Sequence, residues 1–360
     1  MTIPPKSKWF IQTVLSSTLF LSFSVMAELT LTSNYALIQG SFSNMDNVFD
    51  RISDRMLDLH VWIQQYNLQQ NAGLNAGDRF GILGLWVNAL GSTVNQKERD
   101  DIAGYTAHNG GLAVGADWRF NDCNAFGLAV SLQKGRVEDK AVLPNDEKIR
   151  SWQATGYSWI DFSEGIYFNS ILGFGFNTYH IDRTIRYNQI NISSQARFNG
   201  VQFGVQGDLG WILINTNQYY VTPFARLKYQ LLGFDNYDEV GAGFLSLNVD
   251  PETAHEFVGG AGVMLSKVLT IKDRLYIPQL TLFLGYDFDN NGDRSIANFI
   301  GNPVSFHIEG NKPGKAIFDV GLGIHAHNTD ESIFSLKYNL QLREQYTANS
   351  GYLEYYYLWG

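Results

Sequence analysis

The alternation of hydrophobic and polar positions is clearest close to the C-terminus. There an apolar set of residues alternates with a polar or charged set: Phe334, Leu336, Tyr338, Leu340 and Leu342 against Ser335, Lys337, Asn339, Gln341 and Arg343. Because successive side chains of a strand point to opposite faces, this period predicts a strand with one apolar face and one wet face. A turn at Thr347–Gly351 is expected to lead into a last strand, whose apolar register continues through Leu353, Tyr355, Tyr357 and Trp359. One face in lipid and one in a wet lumen is typical of a transmembrane β-barrel, although a soluble β-sandwich can use the same alternation.

The chain from Gly81 onward carries about twelve antiparallel strand candidates with similar alternation. They are residues 81–92, 109–120, 124–136, 149–162, 165–181, 194–214, 218–233, 238–249, 254–268, 274–288, 314–327 with 331–346 as its pair, and 350–359. Short links predict periplasmic turns at Asn121–Asn124, Ser163–Glu164 and Asn215–Gln218. Longer polar links predict outer loops at Asn95–His108, Val137–Lys148, Arg183–Ser193 and Asp289–Lys312. Aromatic residues near strand ends suit interfacial girdles: Trp86, Trp118, Tyr219, Tyr220, Tyr276 and Tyr286.

One amphipathic helix is predicted before the strands, over about residues 43–66, with Ser43 or Asn44 as its cap. Its apolar positions recur at helical spacing: Met45, Val48, Phe49, Ile52, Met56, Leu59 and Ile63. The other face carries Asp46, Asp50, Arg51, Asp54, Arg55 and Asp58. We expect this helix to lie in or against the lumen of the barrel, and residues 28–41 to form a short extended segment or no regular structure.

The N-terminus has the pattern of a secretory signal peptide. Lys6 and Lys8 precede the uncharged run Trp9–Val25, and Val25-Met26-Ala27 offers small residues for cleavage after Ala27. The expected organisation is therefore a signal peptide at 1–27, a short segment with the helix at 28–80, and a barrel at 81–360. Export without a spanning helix, combined with amphipathic strands, predicts the outer membrane of a Gram-negative bacterium.

Composition narrows the classes of function. Charged residues make up 17% of the chain, below the roughly 25% of ordinary soluble domains. The net charge of −9 disfavours nucleic acid, whose binders present basic patches. The single cysteine, Cys123, excludes an internal disulfide framework and a cysteine-based zinc site.

Candidate catalytic and metal sites are weak. His325 and His327 share one strand face, but no acidic third ligand accompanies them. The run Asp289–Asp293 resembles the start of a calcium loop without the closing glutamate, and no Gly-x-Ser-x-Gly motif occurs. We therefore expect no enzyme activity, no catalytic residue, no metal and no cofactor.

Several segments resemble the autotransporter (type V secretion) translocator domain over residues 81–359. The most specific are Val221–Tyr229, Tyr237–Gly243 and the glycine-rich strand with Gly259, Gly260 and Gly262, together with Gly110-Gly111, Gly115-x-Asp117, Phe126–Ala129, Gly321-x-Gly323 and Leu336–Tyr338. The resemblance implies a barrel that lets an N-terminal passenger through and is then plugged by the helix. It also implies that the terminal aromatics Tyr355, Tyr357 and Trp359 act as the assembly signal read by the barrel-insertion machinery. The sequence departs from the family in its short predicted passenger, residues 28–42, and in Gly360 after the last aromatic.

The lumen is predicted to hold the helix by charge pairs. Helix residues Asp46, Asp50, Asp54 and Asp58 are expected to meet Arg226, Lys228, Lys337 and Arg343 on the strands. The expected partners are the lipid bilayer, the insertion machinery and the chain's own N-terminal segment, which the barrel would move to or display at the cell surface. Two alternatives remain: a porin-like channel for small solutes, and an adhesive or structural surface barrel that uses the loops at 95–108 and 289–312.

Overall fold

The computed structural model describes residues 35–57, 83–99, 102–121, 124–140, 145–163, 165–187, 190–214, 219–272, 274–289, 294–329 and 332–359. The predicted signal peptide, Asp58 and Cys123 lie outside the described residues. Within the described residues, no helix is both long and apolar enough to cross a membrane.

Twelve long strands form one antiparallel sheet that closes on itself within the described part of the chain. They are β1 (Leu83–Gln96), β2 (Tyr105–Asn121), β3 (Asn124–Asp139), β4 (Asp146–Ser163), β5 (Ile166–Tyr187), β6 (Ile190–Trp211), β7 (Tyr219–Phe234), β8 (Ala254–Lys267), β9 (Arg274–Asp287), β10 (Ala316–Thr329), β11 (Ser332–Arg343) and β12 (Tyr346–Trp359). Leu213–Ile214 and Leu269–Ile271 continue this sheet beyond β6 and β8. Pairing of β1 with β12, from Leu83↔Trp359 to Gln96↔Tyr346, closes the barrel. Closure leaves the barrel, in the part that the structure describes, without an open edge strand.

The alternation predicted from the sequence separates an outer apolar face from an inner polar face. On β3, Leu128 and Val130 are 50% and 57% exposed on the outside, whereas Ser131 and Gln133 are buried inside. On β11, Leu336 is 51% exposed and its neighbour Lys337 is buried. The predicted fold, a β-barrel of about twelve antiparallel strands with an N-terminal helix, is confirmed.

Two predicted boundaries are wrong. The turn placed at Thr347–Gly351 lies inside β12, and the chain reverses instead at Glu344–Gln345, where Gln345 has a φ of 57°. The link placed at Arg183–Ser193 is mostly strand, since β5 and β6 remain paired up to Tyr187↔Ile190. Polar residues dominate these stretches because they continue the strands past the apolar band, where sequence alone cannot tell a strand from a loop.

The strand predicted at 238–249 does not belong to the barrel. A second, four-stranded sheet is formed by Tyr237–Asp238, Leu247–Pro251, Arg294–Phe299 and Ser305–Glu309. These strands come from the β7–β8 and β9–β10 links, so the predicted loop Asp289–Lys312 also contains strands. We call this second sheet the outer sheet. Alternation indicates a strand but does not identify its partner, which explains the error.

The helix, α1, occupies residues 35–57 of the described chain, and therefore begins well before the predicted start. Ser43 and Asn44 lie within it and are not caps, and the extended segment predicted at 28–41 is wrong for residues 35–41. Residues before Ser43 lack the amphipathic pattern because they are buried on all sides: Tyr35, Ala36, Leu37 and Ile38 are all at most 4% exposed. A helix surrounded by protein shows no polar face.

The predicted aromatic girdles are correct only in part. Trp118, Tyr219 and Tyr286 are 38%, 44% and 45% exposed on the outer face. Trp86 and Tyr220 are instead buried inside the barrel, at 4% and 1% exposure. Both occupy positions whose side chains point inward, so closeness to a strand end does not determine whether a side chain faces the lipid.

Candidate functional site

Helix α1 runs along the lumen, with its N-terminal end at the end of the barrel that carries the long links. Tyr35 packs against that end, since a Cβ added to Gly310 would lie 2.6 Å from the Tyr35 Cβ. Arg55, near the other end of α1, stacks 4.3 Å from the ring centre of Tyr356, close to the end of β12. At this second end β2 and β4 end and β3 and β5 begin, with only a few residues between the paired strands.

An apolar collar surrounds the N-terminal part of α1. The helix residues Tyr35, Ala36, Leu37, Ile38 and Phe42 join one buried cluster with wall residues that include Tyr105, Val137, Ile149, Tyr179 and Phe198. The cluster also includes Tyr237, Leu247 and Val249 of the outer sheet. The Ser41 hydroxyl lies 2.8 Å from the Tyr179 hydroxyl inside the collar. This helix segment and the wall residues around it thus fill the outer end of the lumen with apolar side chains.

The apolar stripe of α1 rests on a patch of wall glycines. Gly173 of β5 pairs directly with Gly204 of β6. A Cβ at Gly173 would lie 2.7 Å from Phe49 Cε1, and a Cβ at Gly204 would lie 3.1 Å from Phe49 Cζ and clash with the Met45 Sδ. Glycine is therefore required for the helix to approach the wall this closely.

Three aspartates on one side of α1 meet cations of the wall. Asp46 Oδ1 lies 2.6 Å from Lys228 Nζ, and Asp50 Oδ1 lies 2.9 Å from Arg226 Nη1. Asp54 contacts Lys337 Nζ and accepts a hydrogen bond from the Tyr352 hydroxyl at 3.3 Å. Spacing of four residues places the three carboxylates on one face of the helix, which is why they form a single ladder.

Two arginines on another side of α1 meet acids of the wall. Arg51 Nε donates to Glu354 Oε2 at 2.7 Å, and its Nη1 donates to the Tyr352 hydroxyl at 3.0 Å. Arg55 forms an ion pair with Asp117. The helix is thus held by charges of both signs, and each set faces wall charges of the opposite sign. This arrangement fixes the rotation of α1 about its own axis, because any turn separates both sets.

The predicted contacts divide into two groups. Lys228, Arg226 and Lys337 lie beside aspartates of α1, whereas Arg343 pairs with Glu256 at 3.1 Å and Asp287 at 3.3 Å, within the wall. Sequence reasoning missed the wall acids Glu354, Asp117, Asp208 and Glu256. Each is buried and lies in the inward register of its strand, which was the available signal.

Among the described residues, the cavities that α1 lines are small. A larger cavity, of about 270 Å³, lies away from α1 at the short-turn end of β9–β12. Between α1 and the wall at Asp54, Arg226 and Lys337 lies a cavity of about 40 Å³, enough for a few water molecules. Among the described residues, no group of three or more histidine, cysteine, aspartate or glutamate side chains is arranged to hold a metal ion.

The terminal aromatics lie on the outer face of β12. Tyr355 and Trp359 are 48% and 65% exposed, and the Tyr357 ring lies 6.4 Å from the Trp359 ring. Their role as an assembly signal stays a prediction.

The two loops suggested as surface contact sites meet each other. Asn311 Nδ2 donates to the Lys97 carbonyl and to the Ile102 carbonyl, both at 3.2 Å. Arg99 Nη1 donates to the Lys312 carbonyl at 3.1 Å. The β1–β2 link is therefore fastened to the β9–β10 link at the outer end.

Solved structures share this architecture. The translocator domain of the autotransporter NalP from Neisseria meningitidis superposes with a TM-score of 0.63 at 16% identity, over 84% of this chain and 96% of that chain. The transport unit of the autotransporter AIDA-I from Escherichia coli gives a TM-score of 0.55 at 11% identity, over 82% and 97%. At these identities the likeness shows the fold.

Sequence relatives are found among rickettsial surface proteins. Outer membrane protein A of Rickettsia conorii is 21% identical over 327 residues, which is 86% of this chain and 16% of that protein. Outer membrane protein B of Rickettsia typhi is 20% identical over 281 residues, which is 75% of this chain and 17% of that protein. The chain thus spans less than a fifth of the length of these relatives. The model of the autotransporter β-domain matches residues 85–339, most of the chain. With its closed barrel and its lumen helix, the chain belongs to the autotransporter β-domain family and is an outer-membrane translocator barrel.

Proposed function

We propose that this barrel passes the polypeptide N-terminal to Tyr35 to the cell surface and then stays closed around α1. The observation that carries the proposal is the direction of α1, whose N-terminal end lies in the collar at the end with the long links. In outer-membrane barrels the long links face outside and the short turns face the periplasm. A chain that threads the lumen in this direction leaves its preceding segment at the surface.

The contacts around α1 support a closed resting state. Asp50 and Arg51 are adjacent in the helix, yet they pair with Arg226 on β7 and Glu354 on β12. Buried pairs of this kind hold an element strongly, because removal of one partner leaves an uncompensated charge. The small size of the cavities beside α1 also disfavours the porin-like alternative, which requires a continuous aqueous path.

The proposal includes the barrel-insertion machinery as a partner and assigns no enzymatic step. Tyr355, Tyr357 and Trp359 are placed on the lipid-facing side of the last strand, where a machinery working within the membrane can reach them. Catalysis is not required, since the proposed work is passage of a chain and closure of the lumen.

Single-channel conductance in a planar bilayer tests closure. We compare the refolded chain that begins at Glu28 with a chain that begins at Gly77 and so lacks α1. The shorter chain is expected to show a steady large pore that the longer chain lacks. Equal conductance of the two chains would favour the porin-like alternative.

Surface display requires a separate test. An epitope placed before Glu28 in the mature chain is expected to bind antibody on intact cells and to be removed by external protease. An epitope that becomes accessible only after lysis would contradict passage to the surface, whatever the conductance result.

The links between the strands of the outer sheet favour a second candidate function, adhesion. Phe244 and Val304 are 64% and 66% exposed at the outer end of the barrel, and Val240 is 64% exposed. Exposed apolar side chains grouped on one surface are typical of contact sites. Replacement of all three by serine is expected to reduce attachment of barrel-expressing cells if the sheet is adhesive, and to leave it unchanged otherwise.

A further inference from the structure

The outer face of β3–β6 is layered by charge. The top of the apolar band is a row of paired side chains across the four strands: Leu132, Trp152, Phe176 and Val201. One step further toward the long-link end, Lys134 lies opposite Arg150 on the neighbouring strand, and the row continues with Thr178 and Asn199. The next row is Arg136, Lys148, His180 and Arg197, and the row after it is Glu138, Asp146, Asp182 and Gln195. Each step is two residues, or about 7 Å along the strand.

All these side chains continue the register of the lipid-facing residues. Lys134 follows Leu132 on the same face of β3, and Arg150 precedes the exposed Trp152 on β4. The first cations therefore lie directly against the edge of the apolar band. At this depth the neighbours of a barrel are lipid head groups.

The two basic rows differ in their ion pairs. In the second row, Arg136 Nε lies 2.9 Å from Asp146 Oδ1, and Lys148 Nζ lies 3.3 Å from Asp146 Oδ2. Lys134, Arg150 and Arg197 are exposed, and no described residue forms an ion pair with any of them. The acidic row thus neutralises Arg136 and Lys148, and it leaves Lys134 and Arg150 of the first row and Arg197 of the second row without an ion pair among the described residues.

The opposite side of the barrel, as far as the structure describes it, lacks this pattern. There the outward positions near the long-link end carry aromatic and aliphatic side chains, such as Tyr286, Phe288, Phe318 and Leu342. The basic rows are consequently a local feature of β3–β6 and not a general property of the rim.

We propose that Lys134, Arg150 and Arg197 form a binding site for the phosphate group of an anionic lipid in the outer leaflet. The acyl chains of the lipid lie along the apolar band beside Trp152, and the phosphate lies over Lys134 and Arg150. Arginine and lysine bind phosphate oxygens through charge-assisted hydrogen bonds. The acidic row beyond repels the phosphate and so fixes its depth. A lipid phosphate fits this site better than a soluble anion, because the unpaired cations border the apolar face.

Titration of the folded full-length barrel with phosphatidic acid in phosphatidylcholine vesicles, read by quenching of tryptophan with brominated acyl chains, tests the proposal. The substitutions Lys134→Gln, Arg150→Gln and Arg197→Gln together are expected to weaken binding of phosphatidic acid by roughly 100-fold, since each of the three cations near an anionic lipid contributes about fivefold. The matched control carries Lys267→Gln, Lys272→Gln and Arg274→Gln at the short-turn end and is expected to bind as the unmodified barrel does. Equal weakening in both triple variants, or none in the first, would overturn the site.

A second variant is expected to change the affinity for phosphatidic acid in the opposite direction. The substitutions Glu138→Gln, Asp146→Asn and Asp182→Asn remove the acidic row and are expected to tighten binding of phosphatidic acid. Weaker binding in this variant would show that the rows act only through folding, and would overturn the proposal. Inorganic phosphate is the remaining probe: if it displaces phosphatidic acid at comparable concentration, the site is one for a free anion, and the assignment to lipid is wrong.

Discussion

The substitution Glu354→Gln separates helix docking from the rest of the barrel. Glu354 Oε2 accepts a hydrogen bond from Arg51 Nε at 2.7 Å, and both side chains are only 2% exposed. Glutamine keeps the shape of the side chain but removes its charge. Arg51 then keeps the Tyr352 hydroxyl, 3.0 Å from its Nη1, and loses the negative charge of Glu354.

The expected effect follows from this burial. Loss of one partner of a buried ion pair costs about 3 kcal/mol at the lower end of the measured range. This penalty falls on the docked state alone, because an undocked Arg51 is hydrated. Since 1.4 kcal/mol corresponds to a factor of ten, the fraction of time that α1 is undocked should rise about 100-fold.

Single-channel recording measures this fraction as the probability of large openings. The matched control is Asp287→Asn, which also removes a buried lumen carboxylate. Asp287 pairs with Arg343 at 3.3 Å inside the wall, so docking of α1 should change little. A chain that begins at Gly77 should conduct alike with and without Glu354→Gln.

Two results would refute the reasoning. The first is an opening probability that stays the same in Glu354→Gln. The second is an equal rise in Glu354→Gln and Asp287→Asn, which would indicate a loosened wall instead of a released helix.

Three further substitutions test the helix contact with the wall, the outer sheet and the lipid-facing surface. Gly204→Leu places a side chain where Met45 lies, and it should hold the lumen open in conductance recordings, whereas the outward neighbour Phe203→Leu should not. Glu239→Gln removes the buried partner of Arg183, 2.9 Å away, and should speed proteolysis of the outer sheet while the barrel itself stays resistant. Leu128→Arg introduces a charge into the lipid-facing surface and should lower the free energy of unfolding by about 2–4 kcal/mol, measured by urea titration in vesicles. A change near zero would indicate that this surface does not face lipid.

The faces of the strands could be read from the sequence because the period of two is a local property. Leu336 and Lys337 differ by one position, and the backbone alone sends them to opposite sides of the sheet. The same rule placed Arg226 and Lys228 on the inner face. It did not supply Glu354 as the partner of Arg51, since these residues are far apart in the chain and meet only after the barrel closes.

The helix shows where local patterns fail. Residues 43–57 have an amphipathic period, and there a helix was predicted. Residues 35–42 have none, because the collar buries them on every side. Trp86 was misplaced for a similar reason: its amphipathic ring suits an interface, but the register of β1 turns it inward, where its Nε1 donates to the Tyr157 hydroxyl at 2.9 Å.

The sequence by itself thus determined the class of fold, the two faces of most strands and the existence of an amphipathic helix, since each depends on a periodicity that neighbouring residues set. Only the tertiary structure decided which strand pairs belong to the barrel and which to the outer sheet. It also decided the direction of α1 in the lumen and the partner of each charge. These depend on closure of the sheet, which brings residues from distant parts of the chain together at distances that no local pattern specifies.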